Sequence, residues 1–491
     1  MLIEILGTRI IAPVFGASLF VWAALLAVTL SALAVGYYVG GVLVDRSPTA
    51  RLLATVVASS GVLIAAVPLA RYAVLDVVAD LGPRMGPLLG AVGLFAPSLL
   101  VLGMTGPIAV RLATTDLRAT GHRVGSIYAT STAGSLVGTL VTAFVLIPTF
   151  ETQTILIGSA GLVALLSVVL FVGRRPHWVA SVAVIAPLAA WAAPKPEVPT
   201  GFDIVESAES PYGRVQVIDV AARGVRLLRA DHSVIGAELI ETHTAAFGFL
   251  HLLENVRFVR RAAKDMLLIG LGSGSIAKML AREGIRSDVV EIDPVVVRAA
   301  REHFGFTTEG EVRIEDARTF LRHADRRYDI IVHDTFTGGA TPEHLLSVEV
   351  LQQIHRLLRP GGVLALNFVG YQRGPHVEAT WLITRTIRAV FQNVRIFRDR
   401  APDSNPDWAV NLTFFASDSE VSFDIPSDAT FEGEACERIA RTFQDWEILK
   451  DVPTGALITD QHNSIARLQL AAAEDHFEAM GRLLPRGVWL H

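Results

Sequence analysis

DMLLIGLGSGSIAKMLAREGIRSDVVEIDP, residues 265–294, decides how the second half of this chain folds. An apolar run at 266–269 ends in Gly270, Gly272 and Gly274. Helical sequence follows at 276–283, and a second apolar run, 289–292, delivers Glu291 and Asp293. Glu291 falls 21 positions after Gly270. Strand, glycine loop, helix, strand and acid in that order make a nucleotide-binding crossover. The glycines let backbone approach a ligand closely, and the acid can accept both hydroxyls of a ribose. The alternative is a glycine turn that merely packs helix on strand.

Outward from this stretch the alternation continues. A helix at 294–304 opens on proline in its first turn. A short strand, 311–314, leads to Asp316, and a helix at 317–323 begins with Ala317. The apolar strand 328–332 ends at His333 and Asp334. A helix at 342–358 is stopped by Arg359-Pro360-Gly361-Gly362, and strand 363–367, helix 377–391 and strands 394–397 and 409–416 complete the run. This pattern predicts an α/β Rossmann-like domain over 261–491, its mostly parallel sheet covered on both faces. Ligands of such sheets lie at the carboxyl ends of the strands. The 270–274 loop, Glu291, Asp316 and Asp334 all fall there. Asp316 could instead cap the helix that follows it, and Asp334 could cap its loop. His333 faces away from Asp334 in a continuing strand, which suits packing.

Before the crossover, 212–220 and 224–230 alternate as hairpin strands, and 238–253 has helical spacing. The region 202–260 therefore reads as a small β-hairpin and helix. Residues 194–201 carry three prolines and read as a linker.

The first 193 residues are different. The chain is 51% hydrophobic, with a mean hydropathy of +0.44, and the excess lies in this part. Windows at 20–44, 52–69, 88–110, 127–147 and 155–172 approach or exceed the ~20 apolar residues that cross a bilayer. Residues 178–193 form a shorter sixth window interrupted by Pro187. Residues 2–15 are apolar but too short to span, and they are broken by Arg9 and Pro13. They suit the second half of a helix that begins outside this sequence, and a cleavable signal peptide is not expected. Arginines in the 45–51, 111–123 and 174–177 loops put those loops in the cytoplasm. A spanning 178–193 segment would carry everything after it outside. Ligand supply favours a cytoplasmic second half, with 178–193 lying in the interface. The spacings Gly36-x3-Gly40 and Gly134-x3-Gly138 predict close helix packing, the alternative being a substrate pocket or conduit. The net charge of −5 argues against a nucleic-acid partner. Cys436, the single cysteine, cannot form an internal disulfide or a thiolate cluster, so no metal is expected and a buried thiol is.

Together these residues resemble the spermidine synthase family of aminopropyltransferases, on the class I S-adenosylmethionine methyltransferase fold. The matching segments are SPYGRVQVID (210–219), LLIGLGSGSIAKML (267–280), VVEIDPVVVRAAREHF (289–304), YDIIVHDTF (328–336), PEHLLSVEVLQQIHRLLRPGGVLALNFV (342–369) and LITDQHNSIARL (457–468). The run at 3–46 is similar to a membrane-fused branch of that family. The resemblance implies a cosubstrate cradle at Gly270, Gly272, Ser273 and Gly274, ribose on Glu291, and adenine at Asp316 and Ala317. It makes Asp334 the acid that orients and deprotonates an attacking amine. The cosubstrate would be decarboxylated S-adenosylmethionine or S-adenosylmethionine itself. The partners would be a small-molecule amine or lipid, the bilayer and a second copy in a homodimer. Ser273 and Thr337 stand where the polyamine enzymes carry aspartates. Three functions follow as expectations: aminopropyl transfer, methyl transfer to a lipid or membrane-associated substrate, and a non-catalytic membrane transporter or sensor.

Overall fold

The computed structural model describes residues 2–490, except 17, 115–119, 172–184, 191, 193–196, 337–338, 400–407, 432 and 450. The chain divides into two compact units. The first comprises 1–199, 209–214 and 485–491; the second comprises 200–208 and 215–484.

The first unit is helical. Helix α1 (Leu2–Phe15) is short and largely buried. Helices α2 (Leu19–Arg46), α3 (Ala50–Val78), α4 (Gly82–Ala113) and α5 (Thr120–Val141) follow, then a helix at Thr152–Phe171. Among the described residues, four continuous helical stretches are long and apolar enough to cross a membrane: Leu19–Arg46, Ala50–Ala113, Thr120–Thr149 and Thr152–Leu170. The 64-residue stretch holds two of the sequence windows. It turns at Gly82, whose φ of +74° suits glycine, so that Gly90 and Gly93 pack beside Val78 and Val74. Most of the 178–193 window and the 174–177 loop lie outside the described residues.

The two glycine pairs behave differently. A Cβ on Gly36 would overlap the Leu100 carbonyl, and one on Gly40 would stand 2.6 Å from Met104 Cα. Helices α2 and α4 therefore meet backbone to backbone. Gly134 and Gly138 have nothing within 4 Å of a Cβ position, and α5 has no buried residue. The expectation of packing at that pair is corrected: its face meets no described neighbour. Arg9, which breaks the apolar pattern of α1, donates to the Ser210 carbonyl at 2.7 Å and lies 3.7 Å from Glu209. Glu209 in turn accepts from the backbone N–H and hydroxyl of Thr152 at 2.9 and 2.6 Å.

The second unit opens with a four-stranded sheet in the order β1 (Phe202–Ser210), β2 (Gly213–Val220), β3 (Val225–Ala230), β4 (Ser233–Leu239). Here one expectation fails. Residues 238–239 belong to β4, with Glu238 opposite Arg226, and the helix runs over Gly248–Glu254. The apparent helical spacing of 238–253 joined a strand to a helix across a turn. Residues 233–239 find ladder partners in β3, and that tertiary pairing overrides the helical preference of Ala-Glu-Leu.

The main sheet has seven strands in the order β10 (Asn393–Arg398), β11 (Val410–Ser417), β9 (Leu358–Gly370), β8 (Tyr328–His333), β5 (Asp265–Ile269), β6 (Arg286–Glu291), β7 (Val312–Ile314). Neighbours from β7 to β9 run parallel, and β11 is antiparallel to both β9 and β10. The sheet is thus mixed, a Rossmann-like arrangement with one reversed strand. Alternate residues of β5 feed two cores: Met266 and Leu268 one, Leu267 and Ile269 the other. Strand order reverses at β5, so the carboxyl ends of β5, β6 and β8 flank the switch-point crevice. The expected helix at 342–358 is a 3-10 turn, Glu343–Leu345, and a helix, Val348–Leu357, capped by Ser347. Residues 359–362 lie within β9.

Candidate active site

The loop after β5 is fixed by its glycines. Gly270, Gly272 and Gly274 have φ of +86°, +54° and +78°. Side chains rarely adopt such values, at a cost of about 1–2 kcal/mol each. All three also lack room. A Cβ on Gly270 would overlap the carbonyl oxygen of Asp334, one on Gly272 would stand 2.5 Å from the Ile235 carbonyl, and one on Gly274 would stand 2.8 Å from Phe306 Cβ. The first contact matters most. The Asp334 N–H donates to the Ile269 carbonyl at 2.9 Å, so loop and acid share one stretch of backbone ladder.

Glu291 ends β6 and closes the same loop. Its carboxylate accepts from the Leu271 N–H at 2.9 Å and the Asp293 N–H at 3.0 Å. Burial pushes its carboxyl above the usual range, and the two backbone donors pull it back in part. Asp316 caps the helix Ala317–His323, accepting from the Thr319 N–H at 2.9 Å, and lies 3.6 Å from His344. Burial raises its carboxyl, but the Thr319 bonds and His344 outweigh that and hold it low. Ala317 is buried as the first residue of that helix. Ser273 is buried too. Its hydroxyl lies 2.8 Å from that of Ser275, which donates to Glu238 at 2.7 Å. Lys278 pairs with the same Glu238 oxygen and also donates to the Phe304 carbonyl.

Asp334 sits half-buried at the end of β8. Its Oδ1 accepts from the Asn367 amide on neighbouring β9 at 2.9 Å. Enclosure raises the carboxyl to about 6, with the Asn367 bond pulling the other way. His333 is fully buried in the strand, and burial holds its imidazole down at about 4. It packs away from the site.

Three features escaped sequence reasoning. Asn367 is a lone amide inside the apolar strand 363–369, and that polarity was the available signal. The spacing of 238–253 predicts a helix for Glu238, which hides its link to the loop. The third is the helix Leu470–Leu483, which packs on the segment following Asp334. Ala473 Cα would stand 3.0 Å from a Cβ on Gly339, and the His476 ring lies 5.0 Å from that of Phe336. Asp475 accepts from the Tyr371 hydroxyl at 2.8 Å, and burial holds His476 at about 4, hence neutral. Asp460, in the C-terminal segment that supports the resemblance, accepts from the Ser347 hydroxyl at 2.6 Å and pairs with Arg318. Thr337 lies outside the described residues.

A family profile described as "Methyltransferase domain" matches residues 266–362, the stretch containing every site residue predicted from sequence. The chain is 31% identical to an N-terminal histidine N-methyltransferase of Emericella nidulans over 59% of this chain and 58% of that protein. It is 37% identical to a polyamine aminopropyltransferase of Vibrio vulnificus over 27% of this chain and 46% of that protein. A probable spermidine synthase structure from Corynebacterium glutamicum aligns at 21% identity, covering 46% of this chain and 84% of that one, with a TM-score of 0.40. The chain thus spans about half the length of the first curated relatives it matches. Those relatives transfer methyl or aminopropyl groups, and the second unit has the Rossmann-like fold of class I methyltransferases.

Proposed function

We propose that the chain is a membrane-bound transferase that alkylates a nitrogen nucleophile, using S-adenosylmethionine or its decarboxylated form as donor. The observation that carries this reading is Asp334. It stands at the end of β8 with its backbone in contact with the glycine loop, and its carboxylate is held by Asn367. The donor, when bound, supplies an electrophilic carbon on sulfur. The chain's residues align it: the loop glycines leave room for backbone approach, Glu291 offers ribose acceptors, and Asp316 and Ala317 flank the adenine. An alkylammonium has a pKa near ~10, so it must lose a proton before it can attack. Asp334 takes that proton and keeps the nitrogen directed at the carbon.

Methyl transfer is the better-supported form. The Ser273 hydroxyl is enclosed with Ser275 and Glu238, so the loop puts no carboxylate of its own where a propylammonium would need one. The relative that aligns over 59% of this chain is a histidine N-methyltransferase. Aminopropyl transfer is the second reading, favoured by the half-buried acid at 334 and the polyamine relatives. Four apolar helical stretches support a multi-pass membrane location, and the cytosolic supply of the donor favours a cytoplasmic catalytic unit.

The deciding experiment supplies both donors to detergent-purified chain, with putrescine and an N-terminal-histidine peptide as acceptors. Methyl transfer releases S-adenosylhomocysteine; aminopropyl transfer releases methylthioadenosine. Asp334→Asn should lower either rate by roughly 10²- to 10⁴-fold while donor binding persists. Donor binding without either product, across an acceptor panel, would leave the non-catalytic sensor as the function.

A further inference from the structure

Away from the sheet edge, His251, Glu254 and Cys436 bring one potential ligand atom each within 4.8 Å of one another. The three residues are 5%, 4% and 1% exposed. His251 and Glu254 are three apart on the helix Gly248–Glu254, hence on one face. Cys436 lies in the first turn of the helix Glu434–Thr442, and its Sγ is 3.3 Å from Glu254 Oε2.

A second observation points to a ligand. His251 Nε2 lies 3.0 Å from the Ala245 carbonyl. A carbonyl can only accept, so Nε2 carries the proton and Nδ1 keeps the lone pair. That Nδ1 is buried without a hydrogen-bond partner. A backbone carbonyl on one imidazole nitrogen is the usual way a protein orients the other toward a metal. The opposite oxygen of Glu254 is steadied by Arg257 at 3.4 Å.

We propose that His251, Glu254 and Cys436 bind a divalent metal ion, zinc by the donor set, pinning the 434–442 helix to the Rossmann-like core. Imidazole nitrogen, carboxylate oxygen and thiolate sulfur are all zinc ligands, and three protein ligands leave a fourth position for water. Binding releases the thiol proton to solvent. Charge then balances: the thiolate, Glu254 and Glu283, which also pairs with Arg257, offset the metal and that guanidinium. Arg282, exposed beside them, is the remaining nearby charge. The site lies outside the proposed reaction centre, so the metal is structural. This revises the expectation that one cysteine excludes a metal: a mixed set needs one thiolate.

Cobalt tests the proposal on the full chain, purified in detergent without a histidine tag. Cys436 is the only cysteine, so a thiolate-to-cobalt charge-transfer band reports this site alone. The proposal expects stoichiometric zinc as isolated. After chelation it expects cobalt uptake with that band, lost in Cys436→Ser and weakened in His251→Ala. Metal-free folded chain that develops no band with cobalt would overturn it, and so would a band of equal strength in His251→Ala. Should either variant fail to fold, the unmodified chain's titration still decides.

Discussion

Asp334 is where single-residue chemistry is most exposed to test. As a proton acceptor it works only when ionised, so transfer should rise with pH through about 6. Asn367 lowers that value by donating to Oδ1. Asn367→Ala removes the donor, so the rising limb of the rate profile should move to higher pH. A uniform loss of rate with an unmoved limb would make Asn367 a packing residue only. Glu291 is legible in the sequence because it ends an apolar strand 21 positions after Gly270, and Asp334 because it ends the apolar strand that resembles the family's catalytic strand. Asn367 is not, since its partner stands 33 positions away and only sheet order brings them together. Glu238 was hidden for a related reason: its loop contacts depend on β4 pairing with β3, which local propensity does not reveal.

At the scale of an element, Asp316 serves two readings at once. It caps the helix Ala317–His323, and its carboxylate stands at the proposed adenine end of the sheet edge. Asp316→Ser separates them. Serine caps nearly as well as aspartate, so thermal stability should hold. Loss of the carboxylate should weaken donor affinity by roughly tenfold, as expected for a hydrogen bond to a charged group. Unchanged affinity in calorimetry would reduce Asp316 to a cap. Strands were read well wherever a continuous apolar run met a turn signal. Boundaries slipped at 342–362, where Ser347 starts the helix late and β9 begins five residues ahead of its apolar run. The β9–β8 register shift near Tyr328 absorbs that extension.

For the whole molecule, composition already divided the chain into an apolar half and an α/β half. What composition could not show is which helices touch. Gly36 and Gly40 bring α2 against α4, whereas Gly134 and Gly138 have the same spacing and an open face. Gly40→Leu should therefore prevent assembly of the helical unit, lowering the yield of detergent-stable chain severalfold, while Gly138→Leu should be tolerated. Size-exclusion profiles of the two variants check this; equal losses would contradict the packing described.

The shared backbone at Ile269, Gly270 and Asp334 has a consequence for change over time. The proposed donor cradle and the proposed base cannot drift apart, because a shift in one drags the other. Variation in what is alkylated must then arise elsewhere, in β4 and the 470–483 helix, which meet the site through packing and side-chain bonds and share no backbone ladder with the loop. Exchanging those two segments between relatives is the economical route to a new acceptor, and the loop itself is the part to leave alone.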